Sequence, residues 1–177
     1  PDSAYLTPEL VKAVEQNSGP GPADIGVELT RQFYLRVVSA RDGSPGAKAG
    51  LRTGDYIRAI DGRATRDMSA YEGMRLLRGP VGSKVALLVI RNNAADPHEL
   101  SLVRDRTTAA DITTRMANAS TGYVRVAEFA KDAPAKLTQA VGALTKTGAM
   151  RFVVDLRGTA TGDIDNGIAA ARLFVPS

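Results

Sequence analysis

Asp42-Gly43-Ser44-Pro45-Gly46-Ala47-Lys48-Ala49-Gly50-Leu51-Arg52-Thr53-Gly54-Asp55-Tyr56-Ile57-Arg58-Ala59-Ile60-Asp61-Gly62 carries its own structural instructions. Ser44 suits a helix N-cap, and Pro45 suits the first helical position because its missing N–H would be unpaired there anyway. Gly50 falls where such a helix must turn left-handed and stop. Gly54-Asp55 then leads into Tyr56 to Ile60, which has the composition of a strand, and Asp61-Gly62 closes it with a tight turn. Leu51, Ile57 and Ile60 form the apolar side of this unit, with Ala47 as a small residue beneath them. The order is helix, turn, strand, turn.

Outward from this unit the chain punctuates itself clearly. Thr7-Pro8 with Leu10, Val11 and Val14 predicts a helix over 7–17, and Asn17 to Pro22 breaks it with a Gly/Pro run. Ala23 to Leu29 and Phe33 to Val38 read as strands around a polar turn. Met68 to Gly79 reads as a helix with Ala70, Met74 and Leu77 on one face, and the interior Gly73 costs it about 1 kcal/mol relative to alanine. Lys84 to Arg91 has apolar residues on both faces and is expected to be a strand buried on both sides, with Asn92 to Pro97 turning it into Glu99 to Arg104. Beyond Thr107 the texture changes. Asp111 to Ala119 is polar and resists assignment, Gly122 to Phe129 alternates like a strand, a helix starts at Asp132 or Ala133, and Arg151 to Arg157 reads as a buried strand. Strand, helix, strand implies a parallel pair joined by a right-handed crossover.

The 177 residues hold one large domain or two small ones, and 44% hydrophobic residues with net charge +4 describe an ordinary globular chain. No apolar run approaches the roughly 20 residues of a membrane helix. Cysteine is absent and His98 is the single histidine, so neither a thiolate zinc site nor a Ser-His-Asp triad is expected, and neither a metal nor a cofactor is called for. The arginines are dispersed without a basic block, which argues against nucleic acid as a partner.

The run from Gly43 to Gly62 closely resembles the G-S-P-A-x-x-A-G-L-x-x-G-D-x-I-x-x-I-(D/N)-G segment of PDZ domains in bacterial proteases. That resemblance implies a PDZ domain over 23–106, a small β-sandwich or barrel with two helices. Ile25-Gly26-Val27 stands at its carboxylate-binding loop, where converging backbone N–H groups take the end of a peptide chain. Ile25 and Val27 are equally suited to plain core. Asp24 replaces the family's first glycine, and its charge so close to an anion site is expected to weaken binding. The helix around Met74 and Leu77 is implied to wall the groove, with both residues either lining the pocket for the peptide's last side chain or serving as core.

Ser3-Ala4-Tyr5-Leu6-Thr7-Pro8-Glu9-Leu10, G-Y-V-R-V-A-E-F at 122–129 and V-V-D-L-R-G at 153–158 resemble the carboxyl-terminal processing, or tail-specific, proteases of peptidase family S41. The resemblance implies an α+β chain: a helical lead-in over 1–22, the PDZ domain, and over 107–177 the first βαβ part of an α/β protease core. In that family D-L-R-x-N-x-G-G supplies an oxyanion N–H. Here Thr161 stands at the first glycine of the pair, so Gly162 becomes the oxyanion candidate, with an ordinary strand-to-helix loop as the alternative. The serine and its lysine base lie further downstream in the family, so this chain is expected to be an inactive fragment. Implied partners are C-terminal segments of unfolded or tagged proteins, with self-association through the truncated core, and the implied location is the periplasm or cell envelope of a bacterium. A non-catalytic PDZ scaffold and a degenerate family member are the alternatives.

Overall fold

In a computed structural model, residues 5–16, 19–91, 97–106 and 111–175 are described. Expectations that fall on Pro1 to Ala4, Asn17-Ser18, Asn92 to Asp96, Thr107 to Ala110 and Pro176-Ser177 lie outside them. The chain separates into two compact units, Pro1–Ala109 and Ala110–Ser177.

The first unit opens with α1 (Pro8–Glu15), capped by Thr7. Strands β1 (Val27–Gln32), β2 (Tyr34–Ala40), β3 (Tyr56–Ile60), β4 (Arg63–Ala64), β5 (Lys84–Ile90) and β6 (His98–Val103) follow, with α2 (Pro45–Lys48) after β2 and α3 (Ala70–Leu77) after β4. The strands form an antiparallel sheet in the order β1-β2-β3-β5-β6, with β4 paired to β3 and β1 at one edge. Ile25, Leu35, Ile57, Ile60, Leu77, Val85, Leu87 and Val89 make its core. Burial of this many large side chains, at about 1.5–3 kcal/mol each, is the main force holding the sheet to α3.

The central run folds as its residues dictate. The Ser44 Oγ accepts the Ala47 N–H at 3.1 Å, and Gly50, Gly54 and Gly62 take positive φ of 82°, 96° and 76°. The small residue beneath the unit is Gly46 rather than Ala47, since a Cβ at Gly46 would lie 2.7 Å from Val27 Cγ1 and 2.8 Å from the Ile25 carbonyl oxygen. Asp55 is 2% exposed. Its carboxylate accepts Arg91 Nε at 2.8 Å and Nη2 at 2.7 Å, together with the Arg52 N–H at 2.9 Å. Arg91 also reaches the Gly50 carbonyl at 2.6 Å, so one ion pair locks the turn to β5.

Two expectations are corrected here. β5 buries Val85, Leu87 and Val89 only, leaving Ala86 exposed and Leu88 and Ile90 half-buried, because an antiparallel sheet turns one face to the core and the other outward. β1 starts four residues and ends three residues later than its hydrophobicity suggests, β2 starts one and ends two later, and the chain reverses at Phe33, which is 80% exposed with φ 65°.

The second unit contains β7 (Ile112–Asn118), β8 (Thr121–Val126), α4 (Ala133–Lys146), β9 (Arg151–Asp155) and α5 (Ile164–Ala171). β7 and β8 form an antiparallel hairpin, and β8 pairs with β9 in parallel through α4. The segment that polarity left unassigned is thus an edge strand whose Thr113, Thr114 and Arg115 face solvent. Val124, Val126, Leu137, Leu144, Ala149 and Ala170 form the core. Gly122 admits α4, since a Cβ there would stand 2.9 Å from Leu144 Cδ1. β9 is not fully buried: Val153 is 50% exposed, because among the described residues β9 has a neighbour on one side only. Among the described residues no helix is long and apolar enough to cross a membrane.

Candidate functional site

The edge strand β1 and the helix α3 define the candidate peptide groove in the first unit. α3 begins with a full capping box, in which Ser69 Oγ accepts the Glu72 N–H at 3.1 Å and the Glu72 carboxylate accepts the Ser69 N–H at 2.9 Å. It lies close to the sheet because Gly73 has no side chain: a Cβ there would fall 2.2 Å from Leu35 Cδ1 and 3.3 Å from Leu29 Cδ1. A larger residue at Gly73 would have to displace the buried Leu35 side chain or lift the helix. The far end of α3 is fastened by Arg104, 7% exposed, whose Nη2 and Nε donate to the Leu76 and Leu77 carbonyls at 2.9 and 3.0 Å. Those carbonyls have no partner within the helix.

The loop at the head of β1 is held from below. Gly46 N–H donates to the Ile25 carbonyl at 2.8 Å, and Arg41 N–H donates to the Gly26 carbonyl at 2.7 Å. In a trans peptide plane the N–H points opposite to the carbonyl before it. With the Ile25 and Gly26 carbonyls fixed inward, the N–H groups of Gly26 and Val27 are therefore aimed away from α2 and β2. The left-handed φ of 67° at Gly26 makes this bend possible. Ile25 and Val27 are 0% and 4% exposed, so their side chains serve the core while their backbone forms the loop. The Gly26 N–H is not empty: it donates to Asp24 Oδ1 at 2.7 Å. Leu77 is 1% exposed and belongs to the core, whereas Met74 is half-buried against it. Met74 also lines a cleft of about 260 Å³ with Ala13, Val14, Pro20, Tyr71 and Arg75.

In the second unit the strand end at Asp155 is fixed by a polar network. Asp155 is 7% exposed. It accepts Arg157 Nη2 and Nε at 2.7 and 2.9 Å, the Tyr123 hydroxyl at 2.5 Å and the Arg157 N–H at 3.0 Å. The Arg157 guanidinium, then the Tyr123 hydroxyl and the Arg157 N–H, hold its carboxyl well below the usual carboxylate range. Arg125 Nη1 donates to the Asp155 carbonyl at 3.2 Å and to Thr159 Oγ1 at 3.1 Å, tying the following turn back to β8.

Gly162 follows that turn. Phe129 N–H donates to the Thr161 carbonyl and Asp163 N–H to the Phe129 carbonyl, each at 3.1 Å, a parallel bridge that brackets Gly162. Such a bridge uses the groups on either side of Gly162 and turns its own N–H to the opposite side. A Cβ at Gly162 would lie 2.5 Å from the Phe129 carbonyl oxygen, and its φ is 116°, so glycine is required here by geometry alone. The residue is exposed, in a surface depression with Glu128, Lys131 and Asn166. Among the described residues no group of three or more His, Cys, Asp or Glu is placed to hold a metal ion.

Sequence reasoning singles out the loop, the helix and Gly162 as candidates, and says nothing of the Arg104 clamp or the Asp24 hydrogen bond. The D-x-G spacing at 24–26 was the available signal for the latter, since an Asp side chain commonly accepts the N–H two residues on.

Residues 36–91 match the family described as PDZ domain, and residues 120–177 match Peptidase family S41. The carboxy-terminal processing protease CtpA of Bacillus subtilis is 28% identical over 176 residues, covering 99% of this chain and 38% of that protein. The carboxyl-terminal-processing protease of Synechocystis sp. is 32% identical over 183 residues, covering 99% and 43%. The solved structure of a photosystem II D1 C-terminal processing protease superposes with a TM-score of 0.85 at 29% identity, covering 97% of this chain and 49% of that one. The chain thus spans less than half the length of these relatives. Its PDZ fold, its βαβ unit and their order along the chain agree with the matches: residues 36–91 fall to the PDZ domain and residues 120–177 to peptidase family S41, in a chain similar along nearly its whole length to carboxyl-terminal processing proteases.

Proposed function

We propose that residues 23–106 capture the C-terminal segment of an unfolded or tagged protein by adding it as a strand along β1, opposite α3. The captured chain is then handed to a Ser/Lys dyad outside residues 1–177, in a serine endopeptidase of the bacterial periplasm or envelope. Ile25, Gly26 and Val27 form the chain-end loop, Met74 the wall of the last side-chain pocket with Leu77 in the core behind it, and Gly162 donates to the oxyanion. The observation that supports this reading most is the left-handed bend at Gly26, its flanking Ile25 and Gly26 carbonyls held by Gly46 and Arg41, at the head of the edge strand β1 beside α3. Main-chain donors at an edge provide affinity in strand addition, and pockets for alternate side chains provide selectivity.

Fluorescence anisotropy with labelled peptides of apolar C-terminus tests the groove, using the chain and its Gly26→Leu and Met74→Gln variants. Because φ at Gly26 strains any replacement, Met74→Gln is the variant that leaves the turn intact. Peptides should bind, and affinity should fall about tenfold in both variants, the worth of one or two lost contacts. Absence of binding, or binding unchanged in both variants, refutes the groove. The chain alone should hydrolyse nothing, and purified chain that cleaves an unfolded protein would overturn that expectation.

A further inference from the structure

The Asp24 carboxylate already sits on the donor that an incoming chain end needs. Its Oδ1 takes the Gly26 N–H at 2.7 Å, a full charge-assisted hydrogen bond. Asp24 cannot withdraw by moving its backbone. Its N–H donates to the Asp105 carbonyl at 3.2 Å and its carbonyl accepts the Asp105 N–H at 2.9 Å, a two-way bridge that pins the residue. Directly opposed residues of an antiparallel pair direct their side chains to the same face, so Asp105 brings a second carboxylate to that side, its Oδ1 occupied by the Arg106 N–H at 2.7 Å. A peptide carboxylate entering the loop therefore meets one donor taken and fixed negative charge beside it.

We propose that Asp24 is a built-in occupant of the chain-end loop, standing in for the ligand's carboxylate and setting what the loop accepts. Resting on the groove reading above, the inference names its selectivity: with Asp24 in place the loop favours chain ends without a free charge, or internal extended segments, over free C-terminal carboxylates. A free acid gains entry only when the Asp24 side chain rotates off Gly26. The capture step is thereby biased toward substrates that hold the groove through backbone pairing along β1 and side-chain contacts with α3, with little contribution from the terminal charge.

The test compares one apolar-ended peptide as free acid and as C-terminal amide, titrated by anisotropy into the chain and its Asp24→Asn and Asp24→Gly variants. Asp24→Asn keeps an oxygen acceptor for the Gly26 N–H at the same size, so it is the variant whose loop stays supported. The unsubstituted chain should bind acid no more tightly than amide. Asp24→Gly should tighten acid binding about tenfold or more and Asp24→Asn by a smaller factor, and the ratio of acid to amide affinity should rise in both, since a freed donor serves either chain end while the removed like charge acts on the acid alone. Amide nitrogen–proton spectra should show the Gly26 cross-peak moving with the acid in Asp24→Gly. Tight acid binding by the unsubstituted chain that neither variant changes overturns the inference and leaves the groove standing. No binding of either peptide by any of the three chains overturns the groove, and the inference with it.

Discussion

Arg104→Met removes the guanidinium that fixes the end of the groove helix while keeping most of the apolar stem that lies against Gly79. In the folded chain this group donates to the Leu76, Leu77 and Lys84 carbonyls at 2.9, 3.0 and 2.5 Å and to Ser83 Oγ at 3.2 Å, at 7% exposure. A hydrogen bond to a charged group contributes about 1.5–3 kcal/mol, and a buried acceptor left without a partner costs about 1–3 kcal/mol. These terms overlap, and water entering beside the half-exposed Asp61, whose Oδ2 lies 3.6 Å from Arg104 Nη2, recovers part of them, so the expected loss is about 3–5 kcal/mol. Urea unfolding followed by circular dichroism should show the first unit's midpoint falling by roughly 2 M at an m-value of about 2 kcal/mol/M. Hydrogen exchange should quicken first in the last turn of α3 and the start of β5. Arg104→Lys should recover less than half of the loss, since an ammonium is a point donor and cannot span carbonyls on two elements. A loss below about 1 kcal/mol, or exchange that quickens evenly over the unit, would refute the view that Arg104 fastens α3.

Gly73→Ala should destabilise the first unit by about 1–3 kcal/mol despite alanine's better helix propensity, because the new methyl would fall 2.2 Å from Leu35 Cδ1; a rise in the thermal midpoint would show that α3 can shift outward freely. At Asp55 burial pushes the carboxyl up, but the Arg91 guanidinium and the Arg52 N–H outweigh it and hold the group below its ordinary value of 3.8. Its contribution is therefore complete above pH 3.8 and lost as pH falls through the lowered folded value. Arg91→Gln should move the acid-unfolding midpoint to higher pH, and an unchanged midpoint would count against this ion pair as the source. The second unit exposes Val153, Ile168 and Val175 at 50%, 47% and 63%, beside an apolar trough of about 440 Å³ lined by Phe129, Leu137, Val154 and Phe174. Light scattering on a size-exclusion column should give a mass that rises with concentration, and a strict monomer throughout would remove self-association through this unit.

Local chemistry made much of this architecture readable before any coordinates. The Ser44-Pro45 start, the Gly50 and Gly54 turns and the Asp61-Gly62 reversal each depend on residues within four positions, and all are found where the sequence puts them. What was hidden depends on distant partners. Arg104 reads as the polar end of a strand, and only the fold brings Leu76 and Leu77 to it. Gly73 reads as a weak point in a helix until Leu35 appears beneath it. β7 escaped notice because an edge strand needs few apolar residues, and β9 looked more buried than it is because its neighbours on the sheet cannot be counted from its own side chains.

The Asp24 contact lies between these two cases, which is why it is informative. An Asx oxygen accepting the N–H two residues ahead recurs here at Asn118 to Ser120, Asp155 to Arg157 and Asp163 to Asp165. At those positions the contact shapes a turn and nothing competes for the donor that the fold itself suggests. At Asp24 the same local contact falls on Gly26, whose N–H the Ile25 carbonyl's bond to Gly46 aims away from α2. The two-residue spacing is visible in the sequence, but the direction of the donor comes from α2, which lies some twenty residues away, and it is the proposed groove that turns an ordinary Asx contact into competition for a binding donor. A residue of the same size without charge separates the two roles: if Asp24→Asn keeps the loop's stability and binds free acids more tightly than the unsubstituted chain, the hydrogen bond serves the turn and the charge serves selectivity.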